Sequence, residues 1–487
     1  MTIQLILLIP VLVMVLLLFV KNGKGVNWVS FIGSLIQLGW IIHVGVEVMI
    51  AQAQGKTGFI YEERYQFLQS LQSSFHFGID GLSYVLLLLT AAVVVAGVLM
   101  SWNENRLSKE FHFLLWLLSF GAYGFFLSQD SFVMFLFLEV AVLPKYLLIS
   151  NWGSGNRAKA ANKLALMLML GSGFILVGLL GLYFSTPGPQ RSFDLAILAQ
   201  QAFSPELQGL YFPFLFIGFG IFTALFPFHT WVPDGHSSAP TAGSMFLAGI
   251  SMKMGGYGCF KVAIYLLPEG AKHYAPWIVG ISAIGILYGA LVTLRQKDLK
   301  YMNAYSSISH CGFVLLGLGS LNATASTGAV LQLISHGLMT ALFFGVIGMV
   351  YSRTHTREIA AMSGLQKKIP FIITLLYIAG LCSLGLPGLS GFAAEMTIFN
   401  GTWAAGYKWA TIVAASSIVV TAVYILRAVT KIAMGPASTD EHFTDASWQE
   451  KLGALVLIFF ILALGISPNL WVKLVQVDIV NLLGRMN

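Results

Sequence analysis

The chain has 487 residues, of which 57% are hydrophobic and only 10% are charged, whereas soluble domains carry about 25% charged residues. This composition excludes a soluble globular enzyme, and it also excludes a disordered or nucleic-acid-binding chain, because both of those need a charge-rich surface. The sequence therefore predicts a polytopic membrane protein, whose formal net charge of +7 must be interpreted through its topology.

Membrane-spanning helices are predicted wherever about 20 mostly apolar residues can cross the hydrocarbon core. Fourteen such segments occur, at 3–20, 27–50, 79–102, 111–128, 131–151, 159–184, 209–232, 240–266, 274–294, 301–320, 324–352, 369–403, 409–433 and 452–472. The first lacks a basic start and a small-residue cleavage site, so we expect a retained helix and not a signal peptide. The longer connections 51–78, 185–208 and 434–451 are predicted to be exposed loops. We expect one all-α integral membrane domain, 1–487.

The basic residues outside the spans are unevenly distributed between the two sides. If the N-terminus lies outside, seventeen Lys and Arg residues face the inside and seven face the outside. Cytoplasmic loops carry the excess of basic residues in membrane proteins. The sequence therefore predicts that the N-terminus and the C-terminus both lie on the outer side.

Ionisable residues within the spans are few, and each costs at least about 2.5 to 3.5 kcal/mol at the bilayer centre. They are Glu139 and Lys145 in the fifth span, Lys253 in the eighth and Glu395 in the twelfth. A structural ion pair is one interpretation, but a proton or ion pathway accounts for them better. Lys261, near the end of the eighth span, is expected to snorkel to the interface. Histidines suit a proton relay, and those within or beside spans are His229, His310 and His336.

Helix breakers interrupt two of the predicted spans. Pro227 lies in the seventh span, and Pro387 with Gly388 lies in the twelfth, so each span is expected to split into two half-helices. Broken helices at matching positions of two halves are typical of inverted-repeat transporters. The separation of five spans predicts two inverted five-helix repeats, 111–266 (spans 4 to 8) and 274–433 (spans 9 to 13). A simple proline kink is the alternative explanation.

No pattern in the sequence indicates a metal or a cofactor. Cys259, Cys311 and Cys382 lie in apolar runs without the spacing of a zinc or iron–sulfur site. Phosphate loops, dinucleotide fingerprints and hydrolase triads do not occur. We expect no metal and no cofactor on this chain.

The segment 228–244, FHTWVPDGHSSAPTAGS, resembles the proton-channel family shared by respiratory complex I and Mrp-type cation/proton antiporters. Three further segments support the resemblance: FHFGIDGLS at 75–83, YSSISH at 305–310 and LPGLSGF at 386–392. The resemblance covers essentially the whole chain. It implies fourteen helices with an inverted repeat, in a subunit of a larger assembly that carries no cofactor of its own.

Within this family the chain is most similar to the M-type antiporter-like subunit of NADH:quinone oxidoreductase, the chain 4 type. Glu395, four positions after Gly391, stands where the L-type and N-type subunits and the Mrp antiporters usually have Lys. The resemblance implies L-type and N-type subunits as partners in a bacterial inner membrane. It also implies that FMN, iron–sulfur clusters and quinone are bound by other subunits.

The same resemblance assigns roles to the buried residues. It matches Glu139 with the fifth-span Glu that modulates the channel, and Lys253 with the central eighth-span Lys. Glu395 corresponds to the terminal acid of the second half-channel. His310 and His336 match polar residues on the axis between these sites.

One departure from the family pattern is serious. The seventh-span Lys that pairs with the fifth-span Glu should stand five residues before Pro227, and that residue is Phe222. An additional Lys145 instead follows Pro144 in the fifth span. At about 100° per residue, Lys145 points about 120° away from Glu139 and is no ordinary helical partner. We expect Lys145 to supply the missing positive charge, with Glu139 or an acid of an adjoining subunit as its partner.

Three functions are compatible with these features. The leading one is a proton-translocating subunit of the complex I membrane arm. The second is an Mrp-type antiporter subunit, against which Glu395 argues, and the third is a structural arm subunit that no longer pumps, for which Phe222 argues. A related hydrogenase or formate-oxidising complex could also host such a subunit.

Overall fold

The computed structural model describes residues 2–21, 23–436 and 442–486, which form a bundle of helices with one β-hairpin. The elements of the first part are α1 (Thr2–Phe19), α2 (Lys24–Ala53), β1 (Tyr61–Leu68), β2 (Ser73–Ile79), α3 (Gly81–Met100), α4 (Ser108–Leu127), α5 (Ser131–Trp152), α6 (Arg157–Ser185), α7 (Leu195–Gln200), α8 (Pro205–Thr223), α9 (Trp231–Ser238), α10 (Thr241–Phe246) and α11 (Met252–Gly258). The second part contains α12 (Pro268–Leu294), α13 (Leu299–Gly319), α14 (Ala323–Thr354), α15 (Pro370–Ser383), α16 (Ser390–Ala404), α17 (Lys408–Ala433), α18 (Trp448–Ile466) and α19 (Pro468–Leu483).

The helices α3 and α14 form the centre of the bundle. Both are mostly apolar and almost completely buried, as expected for helices surrounded by other helices, although α14 also carries buried polar side chains such as Gln332 and His336. The outer helices α1, α2, α17 and α18 instead expose many apolar side chains. Such a surface needs an apolar environment, because exposed apolar patches of this extent are not found on soluble monomers.

Both predicted helix breaks are present. The first lies between α8 and α9, where Ala224 has a left-handed backbone with φ 69° and the helix resumes at Trp231. The second lies between α15 and α16, where Gly385 and Gly388 have φ values of +76° and +92°. Glycine tolerates this backbone region without the steric cost of a Cβ atom.

The predicted eighth span has a structure that the sequence did not indicate. Two π-helical segments, Leu247–Ser251 and Cys259–Ile264, lie on either side of α11, which carries Lys253. Short π-helical turns are rare and are frequently found at functional sites.

Eleven helices of the described residues are long and apolar enough to cross a membrane. The other three predicted spans coincide with the segmented helix 241–264, with the polar helix α13, and with the broken pair α15 and α16. Fourteen membrane crossings and two inverted five-helix repeats therefore remain predictions, although every predicted span contains a helix.

The predicted loop 51–78 is largely a β-hairpin. Strands β1 and β2 pair antiparallel from Tyr61 opposite Ile79 to Leu68 opposite Ser73. The polar side chains of β1 concealed this structure, because the strand is mostly exposed and lacks an apolar alternation. The loop 185–208 contains the short helix α7, and residues 437–441 of the predicted loop 434–451 lie outside the described residues.

Segments predicted to share one side of the membrane contact each other. On the predicted outer side, His76 of the hairpin binds Asp194 of the loop 185–208 at 2.6 Å. On the predicted inner side, Arg353 at the end of α14 binds Glu450 at the start of α18 at 2.6 Å. These contacts agree with the predicted alternation of the spans.

Candidate proton pathway

The centre of the bundle contains a buried lysine in contact with a histidine. Lys253 on α11 is fully buried, and its Nζ lies 2.7 Å from Nδ1 of His336 on α14. Because α14 is the central helix, the pair is enclosed by protein on all sides. A hydrogen-bond partner lowers the cost of a buried protonated amine, and the imidazole nitrogen provides that partner.

A second histidine continues this row. The rings of His336 and His310 have their centroids 5.3 Å apart, and Cys311 Sγ lies 3.7 Å from His336 Nδ1. All three residues are buried. The sequence predicted the two histidines as relay candidates, and the structure places them side by side.

His310 connects the row to Glu395 on α16. Its Nδ1 lies 3.2 Å from Nε2 of Gln332, a donor, and 3.5 Å from Oε1 of Glu395, an acceptor. Its Nε2 lies 3.0 Å from Oγ of Ser383. If the neutral ring carries its proton on Nε2, its Nδ1 accepts a hydrogen bond from Gln332. If the proton is on Nδ1, it points at Glu395. The ring can therefore hold a proton at either nitrogen with a partner present.

Glu395 lies against the break between α15 and α16. It is only 4% exposed, and a Cβ atom added to Gly385 would come within 2.8 Å of Glu395 Oε2. A larger residue at 385 would therefore collide with the carboxylate. Hydroxyl groups surround the break, with Ser390 Oγ 2.8 Å from Ser335 Oγ. The second helix break thus brings a carboxylate and several hydroxyls together inside the bundle.

Glu139 and Lys145 on α5 do not form an ion pair. Glu139 is partly buried and accepts a hydrogen bond from the hydroxyl of Ser172 on α6. Lys145 is 1% exposed, and its Nζ has no hydrogen-bond partner among the described residues. It lies 5.6 Å from the ring centroid of Phe222 on α8, and the charge of Glu139 also acts on it.

His229 lies apart from the central row. It lies within the first helix break, is 4% exposed, and packs against Phe226 and Tyr288 with centroid distances of 5.4 and 4.9 Å. Its Nδ1 has no hydrogen-bond partner within the described part of the chain. The structure brings together Lys253, His336, His310 and Glu395, and it leaves His229 outside their contacts.

Two further buried polar residues were not assigned a role from the sequence. His236 on α9 is completely buried, stacks on Phe344 at 5.1 Å, and has no partner for either ring nitrogen in the described residues. The charges of Lys253 and Lys300 both act on it. The buried Lys300 donates a hydrogen bond to the carbonyl of Ala239. The only sequence signal for His236 was its place in the 228–244 motif.

Lys261 does not snorkel to the interface. Its Nζ binds Oδ2 of Asp80 at 2.7 Å, and both side chains are buried. Asp80 also caps α3 by accepting a hydrogen bond from the Ser83 N–H, and Asp478 of α19 accepts one from Gly81 N–H at 2.7 Å. Lys261 therefore belongs to a buried ion pair at the N-terminus of α3. The interface interpretation failed because the acid that pairs with Lys261 is 181 residues away in the sequence.

Metal ligands do not converge anywhere in the described residues, since no group of three His, Cys, Asp or Glu side chains could hold an ion. The three cysteines are buried and unpaired. The arrangement of Lys253, His336, His310 and Glu395 offers proton-binding groups without a metal site.

Comparisons with known proteins agree with the resemblance found in the sequence. The family described as NADH:quinone oxidoreductase/Mrp antiporter, TM, matches residues 128–421. The NAD(P)H-quinone oxidoreductase chain 4 1 of Synechococcus elongatus is 38% identical over 464 residues, covering 94% of this chain and 86% of the relative. The NADH-quinone oxidoreductase subunit M of Rickettsia conorii is 33% identical over 481 residues, covering 97% and 96%.

Solved structures show the same fold. A chain of respiratory complex I from Thermus thermophilus with bound NADH superposes with a TM-score of 0.91 at 26% identity, covering 100% of both chains. A chain of the Mrp complex from Dietzia superposes with a TM-score of 0.86 at 20% identity, covering 99% of this chain and 97% of that one. At such low identity the second likeness concerns the fold alone.

Proposed function

We propose that this chain is a proton-translocating membrane-arm subunit of an NADH:quinone oxidoreductase. The chain belongs to the NADH:quinone oxidoreductase/Mrp antiporter family. The observation that carries this proposal is the buried row from Lys253 through His336 and His310 to Glu395. Lys253 Nζ lies 2.7 Å from His336 Nδ1, and His310 Nδ1 lies 3.5 Å from Glu395 Oε1, while the two histidine rings have their centroids 5.3 Å apart. The fold and the relatives support a subunit of the M type.

The row can pass protons because each member has a protonated and a neutral form near a partner. A protonated Lys253 donates to His336 Nδ1. The ring then releases a proton from Nε2, which has no hydrogen-bond partner among the described residues, so the step to His310 needs an intervening water. His310 accepts the proton on Nε2, beside Ser383, and releases the proton of Nδ1 towards Glu395. A charge inside the bilayer costs at least about 2.5 to 3.5 kcal/mol. Two adjacent cations would cost still more, so the row favours one proton at a time.

In the first half of the chain, we assign the modulating role to Glu139 and Lys145 together with Phe222. Lys145 reaches Phe222 from α5, at the position where the family carries a lysine on the seventh span. The positive charge is then retained in the same region although it comes from a different helix. His229 and His236 would serve as relay positions between this region and Lys253.

Partners and location follow from the same proposal. We place this subunit beside the L-type and N-type subunits of the membrane arm, in a bacterial inner membrane. FMN, iron–sulfur clusters and quinone would be bound by partner subunits. The excess of seventeen inner over seven outer basic residues favours both termini outside. An Mrp-type exchange of Na⁺ or K⁺ is less well supported, because Glu395 stands where those antiporters usually have Lys.

The test is Lys253→Met in the assembled complex, with proton uptake and quinone reduction measured in membrane vesicles. A residue that transfers protons contributes about 10²- to 10⁴-fold to a rate, so we expect both activities to fall together by at least about tenfold. Lys408→Met, which removes an exposed lysine, is the matched control. Full pumping by a correctly assembled Lys253→Met complex would refute the proposed pathway.

A further inference from the structure

A small cavity opens at the C-terminal ends of α12 and α17. Its volume is about 220 Å³, and its walls are mainly apolar, with Leu294, Met302 and Ala428 among them. Three basic side chains also line it, and in the described structure no acidic side chain does: the basic residues are Lys297, Arg427 and Lys431. Lys297 follows α12, while Arg427 and Lys431 lie in the last two turns of α17.

These three cations have no acidic partner among the described residues. Three other cations on the same side are paired: Arg353 with Glu450, Arg357 with Asp298, and Lys163 with Asp234. Cations near a helix C-terminus are stabilised by the negative end of the helix dipole, and this explains the presence of Arg427 and Lys431 at the end of α17. It does not explain why three of them from two helices surround one cavity.

The helices beside the cavity have an exposed apolar surface. Ile284 and Leu291 of α12 and Val419, Val423 and Leu426 of α17 are each between 47% and 67% exposed. A ligand that fits both the basic cavity and this apolar surface has an anionic headgroup and apolar chains. We infer that this cavity binds the phosphate of an anionic phospholipid, whose acyl chains lie along α12 and α17.

The cavity could instead be an inlet through which protons enter the bundle, and its charge decides between this function and lipid binding. Three positive charges at the mouth repel hydronium and attract anions, and Arg and Lys are the side chains that bind phosphate oxygens best. Juxtamembrane basic pockets bind anionic headgroups in this way, and each cation contributes about fivefold in binding. Free phosphate would use the same cations but would gain nothing from the apolar surface.

One residue of the lipid site, Tyr424, links it to Glu395, the terminal acid of the proposed pathway. Tyr424 lines the cavity, and its buried hydroxyl lies within range of the charge of Glu395 and near Ser383. If the proposed function is correct, a lipid bound here would influence proton transfer at Glu395. The binding itself does not depend on that function, so the two can be tested separately.

Photo-crosslinking in the purified, reconstituted complex tests the site. A phosphatidylglycerol with a diazirine on its acyl chain should label peptides of α12 and α17 in phosphatidylcholine vesicles. The triple variant Lys297→Gln, Arg427→Gln, Lys431→Gln should lose about a hundredfold in affinity. The control variant Lys21→Gln, Lys24→Gln, Lys159→Gln removes three exposed cations elsewhere and should label normally.

Several outcomes would overturn the inference. They are equal labelling by a diazirine phosphatidylcholine, unchanged labelling of the triple variant, and no labelling of α12 and α17 at all. Displacement of the probe by millimolar inorganic phosphate would show a phosphate site without a lipid contribution. If the triple variant does not assemble, Arg427→Gln alone should lower labelling about fivefold.

Discussion

The side-chain nitrogen of Lys145 on α5 lies 5.6 Å from the centre of the ring of Phe222 on α8, the position at which the sequence resemblance implies a lysine. A cation over an aromatic face gains about 0.5 to 2 kcal/mol, which offsets only part of the cost of burying the charge. The two departures of this chain from the family pattern are therefore neighbours in space.

We predict that Lys145→Met impairs proton pumping and that adding Phe222→Lys restores part of it. The second substitution returns the cation to α8, close to where Lys145 now places it. Proton uptake by vesicles with the assembled complex measures both effects, and Leu148→Met on the same helix is the control for packing. A fully active Lys145→Met complex would show that the lysine has no role in pumping.

For Glu395, we expect Glu395→Gln to reduce pumping at least about tenfold and Glu395→Asp to be milder. Gln keeps the volume but cannot take up a proton from His310, whereas Asp can. The ratio of the two pumping rates is the informative quantity, because the carboxylate lies tightly against Gly385 and either change could disturb packing. Equal rates would reduce Glu395 to a structural residue.

Breaking the buried pair of Lys261 and Asp80 should destabilise the subunit. Lys261→Met leaves a buried carboxylate without its cation, which costs about 3 to 5 kcal/mol. Asp80→Asn in the same chain should recover part of that loss. Lys272→Met is the control, since Lys272 forms an exposed pair with Glu269 worth less than about 1 kcal/mol. Unfolding in detergent by denaturant measures all three, and equal losses for Lys261→Met and Lys272→Met would contradict the prediction.

The β-hairpin should be more stable against local opening at acidic pH than at alkaline pH. Burial lowers the pKa of His76, but the hydrogen bonds and charges of Asp194 and Glu62 outweigh it and raise the pKa above 6.5. The protonated ring therefore contributes its full stabilisation below about pH 6.5, and the contribution is lost as the pH rises through the raised pKa.

Hydrogen exchange of the β1 and β2 amides between acidic and alkaline pH, after correction for intrinsic rates, tests this expectation. Protection should decrease with rising pH in the wild type and depend less on pH in His76→Gln. The exposed His43 provides the control substitution His43→Gln. A hairpin whose protection is independent of pH in the wild type would rule out a contribution of His76 protonation.

The helix breaks could be predicted from the sequence because their causes are local. Proline lacks a backbone donor and glycine tolerates a left-handed backbone, so Pro227, Pro387 and Gly388 indicate their own structure. The buried charges were equally visible, since Lys253 and Glu395 stand in otherwise apolar segments. The positions of Pro and Gly and the polarity of single residues in apolar segments were therefore sufficient to predict these features.

Contacts between distant parts of the chain could not be predicted in this way. The partner of Lys253 is 83 residues away, and several buried histidines were equally good candidates before the packing of α11 against α14 was known. His229 and His236 both belong to one motif, but packing decides which ring faces the central lysine. The pairing of Lys261 with Asp80 likewise depends on tertiary structure.

Because of the two π-helical segments, the direction in which Lys253 points depends on where in the eighth span a residue is removed. An ordinary helical residue turns the chain by about 100°, and each π segment accommodates an extra residue within the helix. A one-residue deletion in Leu247–Ser251 would therefore return that segment to α-helical winding and leave Lys253 facing His336. The same deletion within α11, ahead of Lys253, would instead rotate the residues on one side of it by about 100° and turn Lys253 away from His336. Deletions should thus be tolerated better in the π segment than in the α-helical turns beside it.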